Sequence, residues 1–181
     1  HLAARAGISD SFKNPVEVIN NNHLSFLNIL EVARNMELPP TLLYASSSSV
    51  YGDEPTLPKI EDKVGNCLSP YAATKKTNEL YAQVFADVYG INTIGLRYFN
   101  IFGPRQDPDG AYAAVIPLFV KGIMKSNPVY INGDGEQTRD FTFVENAVQV
   151  NIKSMLTENA AAFNKVYNVA VGENFSVNYL Y

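Results

Sequence analysis

Tyr71 and Lys75 are the two residues of this sequence whose types and spacing most directly suggest chemistry. They stand four positions apart in a segment that predicts a helix, so both side chains would lie on one face. A phenol with a pKa of about 10 is a poor base at neutral pH, and a nearby cation favours its ionised form. The pair therefore predicts proton transfer to and from an alcohol, with the pKa of Tyr71 lowered by Lys75.

Four consecutive serines, Ser46, Ser47, Ser48 and Ser49, follow a short strand-like segment upstream of this pair. A serine hydroxyl at the end of a strand could hold a substrate oxygen against the phenol. Such an arrangement suits the interconversion of an alcohol and a ketone, which requires a hydride acceptor. Taken alone, the tyrosine and lysine also fit an ordinary surface helix, and the serines also fit a polar turn.

Strand-like and helix-like segments alternate along the chain, which predicts an α/β fold with a parallel sheet. The predicted helices cover 15–36, 71–89, 113–125 with an interruption at Pro117, and 145–156. The predicted strands cover 42–45, 91–98, 129–131, 141–144 and 166–169, with loops at 53–68 and 100–110. Because ligand sites of such sheets lie at the carboxyl ends of the strands, we expect residues 46–49 and 98–100 to share one edge.

The first predicted helix carries an apolar stripe at helical spacing. Its members are Val16, Ile19, Leu24, Leu27, Leu30 and Val32. Such a stripe is typical of a helix face that packs in the core, so we expect these side chains to be buried.

The composition is that of an ordinary globular domain and limits the classes of partner. The chain has 181 residues, 46% of them hydrophobic and 18% charged, and a net charge of -4, which argues against nucleic-acid binding. Cys67 is the only cysteine, so an internal disulfide and a cysteine-based zinc cluster are excluded, and no metal site is predicted. No apolar run reaches the roughly 18 residues of a membrane helix. We predict a cytoplasmic protein with no membrane association.

Four motifs, in order along the chain, resemble the extended short-chain dehydrogenase/reductases of the NAD-dependent epimerase/dehydratase family. They lie at 45–52, with the serines, at 69–75, with the tyrosine and lysine, at 96–104 and at 133–141. The stretch 105–117 is most similar to bacterial UDP-N-acetylglucosamine 4-epimerases. The resemblance implies a Rossmann-like, doubly wound parallel sheet, of which this chain holds the C-terminal portion, and part of a small α/β substrate-binding lobe.

The same resemblance implies how the chain is divided and that it is an internal fragment. Residues 1–110 would form an incomplete NAD-binding core that carries the catalytic residues. Residues 111–181 would contribute to the nucleotide-sugar lobe and the last Rossmann elements. No glycine-rich phosphate loop occurs in the sequence, and the chain begins with His1. We therefore expect the pyrophosphate site of the cofactor to lie upstream of this chain.

The resemblance also implies roles for individual residues. Ser47 matches the usual active-site serine best, with Ser48 beside it, and Tyr71 is the general base and acid. Residues implied in binding the NAD cofactor are Leu2, Ala3, Ala4, Asn22 or its neighbour Asn21, Tyr71, Lys75, Tyr98 and Phe99. Residues implied in binding the substrate are Ser47, Ser48, Ser49, Asn100 and Arg139. The guanidinium of Arg139 suits a diphosphate; alternatively, Arg139 is a surface residue that pairs with Asp140.

The function implied is that of an isomerase, the NAD-dependent 4-epimerisation of a UDP-sugar of the UDP-GlcNAc/UDP-GalNAc type for surface polysaccharide biosynthesis. It would proceed through a 4-keto intermediate in a homodimer. A dehydratase is disfavoured, because the serine run carries no carboxylate to eliminate water. A UDP-uronate or UDP-glucose 4-epimerase and a non-catalytic nucleotide-binding domain of the same fold remain open alternatives.

Overall fold

The computed structural model describes residues 1–110 and 113–181. Its helices are α1 (Ile8–Lys13), α2 (Pro15–Arg34), α3 (Pro70–Tyr89), α4 (Val115–Met124), α5 (Val144–Met155) and α6 (Val177–Leu180). Its strands are β1 (Leu42–Ser47), β2 (Thr93–Tyr98), β3 (Asn100–Phe102), β4 (Thr138–Arg139), β5 (Phe141–Phe143), β6 (Lys165–Val169) and β7 (Phe175–Ser176). The motif at 105–117 includes residues 111 and 112, which lie outside the described residues.

Strands β1, β2 and β6 form a parallel sheet in that order, as the alternation of strands and helices predicts. The register pairs Ser47 with Tyr98 and Tyr98 with Val169, so the carboxyl ends of the three strands lie side by side. The backbone of His1 runs along the free edge of β1, because its carbonyl accepts a hydrogen bond from Ala45. Two smaller pairs, parallel β3–β5 and antiparallel β4–β7, complete the strands of the described residues.

Helices cover both faces of this sheet. Successive residues of a strand point to opposite faces; in β2, Arg97 contacts α3 while Leu96 packs with Ala147 of α5. A core cluster joins α2, α3 and β1 through Phe26, Leu30, Ala33, Tyr44, Ala82, Phe85 and Ile91. The chain thus has the Rossmann-like layering that the sequence predicts. Within the described residues, no helix is long and apolar enough to span a membrane.

Helix α3 begins and ends where its local sequence dictates. The Ser69 side chain accepts a hydrogen bond from the backbone of Ala72 at 3.1 Å, and Pro70 occupies the first helical position. Gly90 ends the helix in the left-handed conformation, with φ of 71°. The side chains of the first turn therefore start at a well-defined place beside the end of β1.

The apolar stripe predicted for α2 is largely wrong. Val16, Leu24 and Val32 are 68%, 56% and 62% exposed, and Ile19 is also exposed. The buried face instead consists of Val18, Asn22, Phe26, Leu30 and Ala33. This face includes the polar Asn22 and the small Ala33, because it is determined by contacts with α3 and with the N-terminal segment. The hydrophobicity of the residues alone does not reveal which face is buried.

Three further local predictions fail for reasons of position and pairing. Helix α4 is not interrupted at Pro117, because this residue lies in the first turn, where a backbone N–H has no intrahelical partner. Residues 129–131 do not form a strand. Residues 100–102, predicted as part of a loop, form β3 because they pair with β5, about forty residues further along.

Candidate active site

A cleft of about 1110 Å³ opens at the carboxyl ends of β1, β2 and β6. The predicted site residues that line it are Ser47, Ser48, Ser49, Tyr71, Tyr98, Phe99, Asn100 and Arg139. These residues come from four separate segments of the chain. The parallel sheet therefore brings most of the predicted site together at one edge, as expected from the strand order.

Ser47 and Tyr71 both line this cleft. Ser47 is the last residue of β1, and Tyr71 lies in the first turn of α3. Burial raises the pKa of Tyr71 above its usual value, and the hydrogen bond with the Ser47 side chain offsets only part of this rise. The contact is the one that alcohol and ketone chemistry needs, since a substrate oxygen could bridge the two hydroxyl groups.

The predicted lowering of the Tyr71 pKa by Lys75 is wrong in this structure. The Lys75 ammonium lies 5.9 Å from the centroid of the Tyr71 ring and donates a hydrogen bond to the Ala45 carbonyl at 2.9 Å. Burial is the largest cause acting on the Tyr71 pKa and raises it, and Lys75 is not among the causes that lower it. Burial also lowers the pKa of Lys75 itself, to about 8. The lysine thus links α3 to β1 beneath the tyrosine.

The structure distinguishes three of the four serines, among which the sequence leaves the choice open. The Ser46 hydroxyl donates to Glu79 at 2.6 Å in the core, so it is not available to a substrate. Ser47 lines the cleft together with Tyr71, and its hydroxyl accepts a hydrogen bond from the backbone of Ser49 at 3.2 Å. The hydroxyl of Ser49 is buried and has no hydrogen-bond partner among the described residues. Ser47 is therefore the serine placed to act with the tyrosine.

Asn22 is the asparagine that supports the N-terminal segment. Its side-chain oxygen accepts from the backbone of Arg5 at 2.8 Å, and its amide donates to the Arg5 carbonyl and to Thr74 at 3.1 and 3.0 Å. The neighbouring Asn21 is exposed. Asn22 thus ties the start of the chain to α3. The predicted cofactor residues Leu2, Ala3 and Ala4 lie in this segment and do not line the cleft described above.

A second cavity, of about 630 Å³, adjoins the first and shares Asn100 and Arg139 with it. Residues 113–116 and Tyr130 contribute to its lining. Arg139 is exposed, and its guanidinium donates to the Thr138 carbonyl at 2.7 Å. The amide of Asn100 donates to the Asp140 carbonyl at 2.9 Å. A cation and an amide therefore stand at the junction of two cavities, as binding of a diphosphate would require.

The alternative role of Arg139, an ion pair with Asp140, is not formed in the described part of the chain. The Asp140 carboxylate accepts hydrogen bonds from the backbone of Val171 and Gly172, at 3.2 and 2.8 Å, and from the Thr142 hydroxyl at 2.9 Å. These contacts hold the loop after β6 against β5. The Asp140 carboxylate is therefore occupied by these structural contacts, and the Arg139 guanidinium hydrogen-bonds the Thr138 carbonyl instead.

Glu79 and Arg97 form a buried ion pair that the sequence did not indicate as part of the site. Their side chains join α3 to β2 through two bonds, of 2.8 and 2.9 Å. Burial by itself would raise the pKa of Glu79, but the hydrogen bonds from Arg97 and Ser46 outweigh it and lower that pKa. One sequence feature could have indicated Glu79: it follows Lys75 by four residues, so it lies on the same face of the helix, one turn further on.

Residues 1–170 match the sequence model of the NAD dependent epimerase/dehydratase family. A UDP-glucuronate 4-epimerase of Thermodesulfobacterium geofontis is 41% identical over 157 residues, which are 86% of this chain and 46% of that protein. Among solved structures, a UDP-N-acetylglucosamine 4-epimerase from Methanobrevibacter ruminantium, in complex with UDP-N-acetylmuramic acid, is 40% identical with a TM-score of 0.93. The match covers 99% of this chain and 56% of that one.

A UDP-glucose 4-epimerase from Thermotoga maritima, solved with UDP-glucose, is 32% identical with a TM-score of 0.92. The match covers 99% of this chain and 57% of that one. The chain thus spans about half the length of the proteins that it matches. All three proteins are named as 4-epimerases of a UDP-sugar, and the sugar in the name differs.

Proposed function

Because this chain belongs to the NAD dependent epimerase/dehydratase family, we propose that the protein containing it catalyses NAD-dependent 4-epimerisation of a UDP-sugar. The observation that carries the proposal is the placement of Ser47, at the end of β1, and Tyr71, in the first turn of α3, on the wall of one large cleft. It puts a hydroxyl that can hold the 4-oxygen of a sugar and a phenol that can exchange its proton in the same cleft. A purely structural role would not require these two groups to face a large open cleft.

The side chains of this site support a specific division of labour. Tyr71 removes the proton of the sugar 4-hydroxyl and later returns it, while Ser47 holds the same oxygen through the 4-keto intermediate. Bound NAD supplies the hydride acceptor that this oxidation and its reversal need. Burial raises the pKa of Tyr71, so the phenolate that removes the proton must be stabilised by a nearby positive charge when the ligands are bound.

The surroundings of Lys75 fit an NAD ribose. An ammonium group has three N–H donors, and Lys75 gives one of them to Ala45. The others have no acceptor among the described residues and are free for ribose hydroxyls. Asn22 holds the segment with Leu2, Ala3 and Ala4 close to α3, where its backbone would flank the cofactor. Tyr98 and Phe99, which line the cleft, would face the nicotinamide.

The two adjoining cavities support a nucleoside-diphosphate sugar as substrate. A sugar in the larger cleft and a uridine in the smaller cavity would place the diphosphate beside Asn100 and Arg139. We propose a sugar of the UDP-GlcNAc/UDP-GalNAc type, supported by the stretch 105–117 and by the 40% identity to a UDP-N-acetylglucosamine 4-epimerase. UDP-glucose and UDP-glucuronate are the alternatives, since related proteins are named for them.

The proposal extends to the organisation of the whole protein. Residues 1–110 would belong to the NAD-binding core and residues 111–181 to the sugar-binding lobe and the last core elements. Helices α2 and α3 pack on each other and expose the apolar residues Ile19, Leu24, Leu80, Val84 and Val88. These side chains support a homodimer formed through both helices. A cytoplasmic location and a role in surface polysaccharide biosynthesis complete the proposal.

The test is an assay of the full-length protein with NAD on UDP-GlcNAc, UDP-glucose and UDP-glucuronate, with the C4 epimers separated by chromatography. Tyr71→Phe should lower kcat about 10²–10⁴-fold, because it removes the general acid and base, and should leave UDP binding intact. Tyr89→Phe, the same change at the other end of α3, is the matched control and should turn over normally. Near-normal turnover by Tyr71→Phe would rule out the mechanism, and UDP binding without turnover of any sugar would favour the non-catalytic alternative.

A further inference from the structure

Arg97 is the centre of a buried polar network that connects α3 to β1, to β6 and to residues 59–61. It lies in β2 and is 3% exposed. Its guanidinium donates to both carboxylate oxygens of Glu79, which also accept from the Ser46 hydroxyl at 2.6 Å and from Lys76 at 3.2 Å. Each carboxylate oxygen thus has two donors. The charge of Arg97 is therefore balanced and its position is set by α3 and β1 together.

The other side of the guanidinium holds the chain that follows the serine run. One nitrogen of Arg97 donates to the Tyr51 hydroxyl at 3.1 Å and to the Glu61 carbonyl at 2.8 Å. The Tyr51 hydroxyl donates in turn to the side-chain oxygen of Asn168 in β6, at 2.6 Å. Asn168 donates to the Lys59 carbonyl at 3.0 Å and, from its backbone, to the Glu61 carboxylate at 2.8 Å. The network therefore ends on residues 59–61.

Residues 59–61 belong to the loop 52–69, which contains no helix or strand and forms one wall of the cleft. Tyr51, Lys59, Glu61 and Asn168 all line the same cleft as Ser47 and Tyr71. The loop has a few backbone hydrogen bonds of its own, such as those from Asp53 to Asn66 and from Lys63 to Ile60, at 3.3 and 3.0 Å. It has no regular ladder of such bonds, so its position also depends on tertiary contacts. The fork of a guanidinium reaches several acceptors in fixed directions, which a lysine at the same place would not do.

We propose that Arg97 is a positioning residue that fixes the loop 52–69 as the sugar-facing wall of the cleft. Glu79 orients its guanidinium, and Tyr51 and Asn168 extend its reach across the ends of β2 and β6. The wall and the Ser47–Tyr71 contact are thereby fixed relative to one another. The role in sugar binding rests on the proposed function, whereas the control of the loop does not.

The test uses the full-length protein with Arg97→Lys, which keeps the charge but not the fork, and Tyr51→Phe, which removes a single hydroxyl. Both variants should speed amide hydrogen exchange in 52–69 roughly tenfold, because hydrogen bonds to a charged group or through a buried hydroxyl are lost. Both should also raise KM for the UDP-sugar by a similar factor. The dissociation constant of UDP alone should not change, because Asn100 and Arg139 lie outside the network.

Lys76→Met is the matched control, because it removes the half-exposed second cation on Glu79 and leaves the Arg97 fork in place. It should leave loop exchange, KM and UDP affinity unchanged. Unchanged exchange in both test variants would overturn the proposal, and so would a parallel loss of UDP affinity, which would indicate a general structural defect. A wild-type protein without epimerase activity would refute the proposed function while the exchange experiment still reported on Arg97.

Discussion

Lys75 should make the stability of the folded chain depend on pH above about 8. Burial lowers its pKa from 10.5 to about 8, while in the unfolded chain the ammonium is solvated and regains its ordinary pKa. Between these two values the unfolded chain therefore binds more protons than the folded chain. The free energy of unfolding must then rise with pH in this window, and below it both states are protonated and Lys75 adds no pH dependence.

The size of the effect follows from the two pKa values. Between about pH 8 and about pH 9.5, folded Lys75 passes from half protonated to almost fully deprotonated, while the unfolded chain stays charged. Linkage then gives about 1.5 kcal/mol of added stability across this interval. The neutral amine still donates to the Ala45 carbonyl, so its hydrogen bond is kept throughout.

The assay is urea unfolding of the 181-residue chain, followed by circular dichroism at several pH values from about 7 to about 9.5. Lys75→Met should remove the rise of about 1.5 kcal/mol, because no titratable group then occupies the site. Lys153→Met, which changes an exposed lysine of α5, should keep it. Other titrating groups are common to all three chains and cancel in the comparison. Identical pH profiles for the wild type and Lys75→Met would refute a buried lysine with a lowered pKa.

Three further outcomes are expected. In the full-length protein, Lys75→Met should weaken NAD binding roughly tenfold with UDP affinity unchanged, as measured by calorimetric titration. Arg139→Ala should raise the dissociation constant of UDP about tenfold or more and leave NAD affinity unchanged, with partial recovery in Arg139→Lys; equal UDP affinity would make Arg139 a surface residue. Gly52→Ala should destabilise the chain by about 3 kcal/mol or more in thermal unfolding, because its Cβ would lie 1.7 Å from the Asn66 carbonyl. Gly90→Ala, at another positive φ but in open space, should cost only about 1 kcal/mol.

The local sequence determined those structural features that depend only on a few adjacent residues, such as helix caps and helix ends. Ser69 and Pro70 mark the start of α3, Gly90 marks its end, and both boundaries were predictable because capping and helix termination depend on adjacent residues. The spacing of Tyr71 and Lys75 was readable for the same reason. The edge where the cleft lies was also predictable, since parallel strands present their carboxyl ends together.

Only the tertiary structure decided the features that depend on contacts between distant residues. The buried face of α2 is chosen by the elements that pack on it. The pKa of Tyr71 rises because desolvation in the folded chain outweighs the hydrogen bond with Ser47. Spacing along a helix carries no information about burial. Ser46 and Ser47 are adjacent, but the Ser46 hydroxyl points into the core and donates to Glu79. The Ser47 side chain instead acts on Tyr71 and lowers its pKa. These features depend on packing and solvation energies, and those energies arise only when segments that are distant in the sequence come into contact.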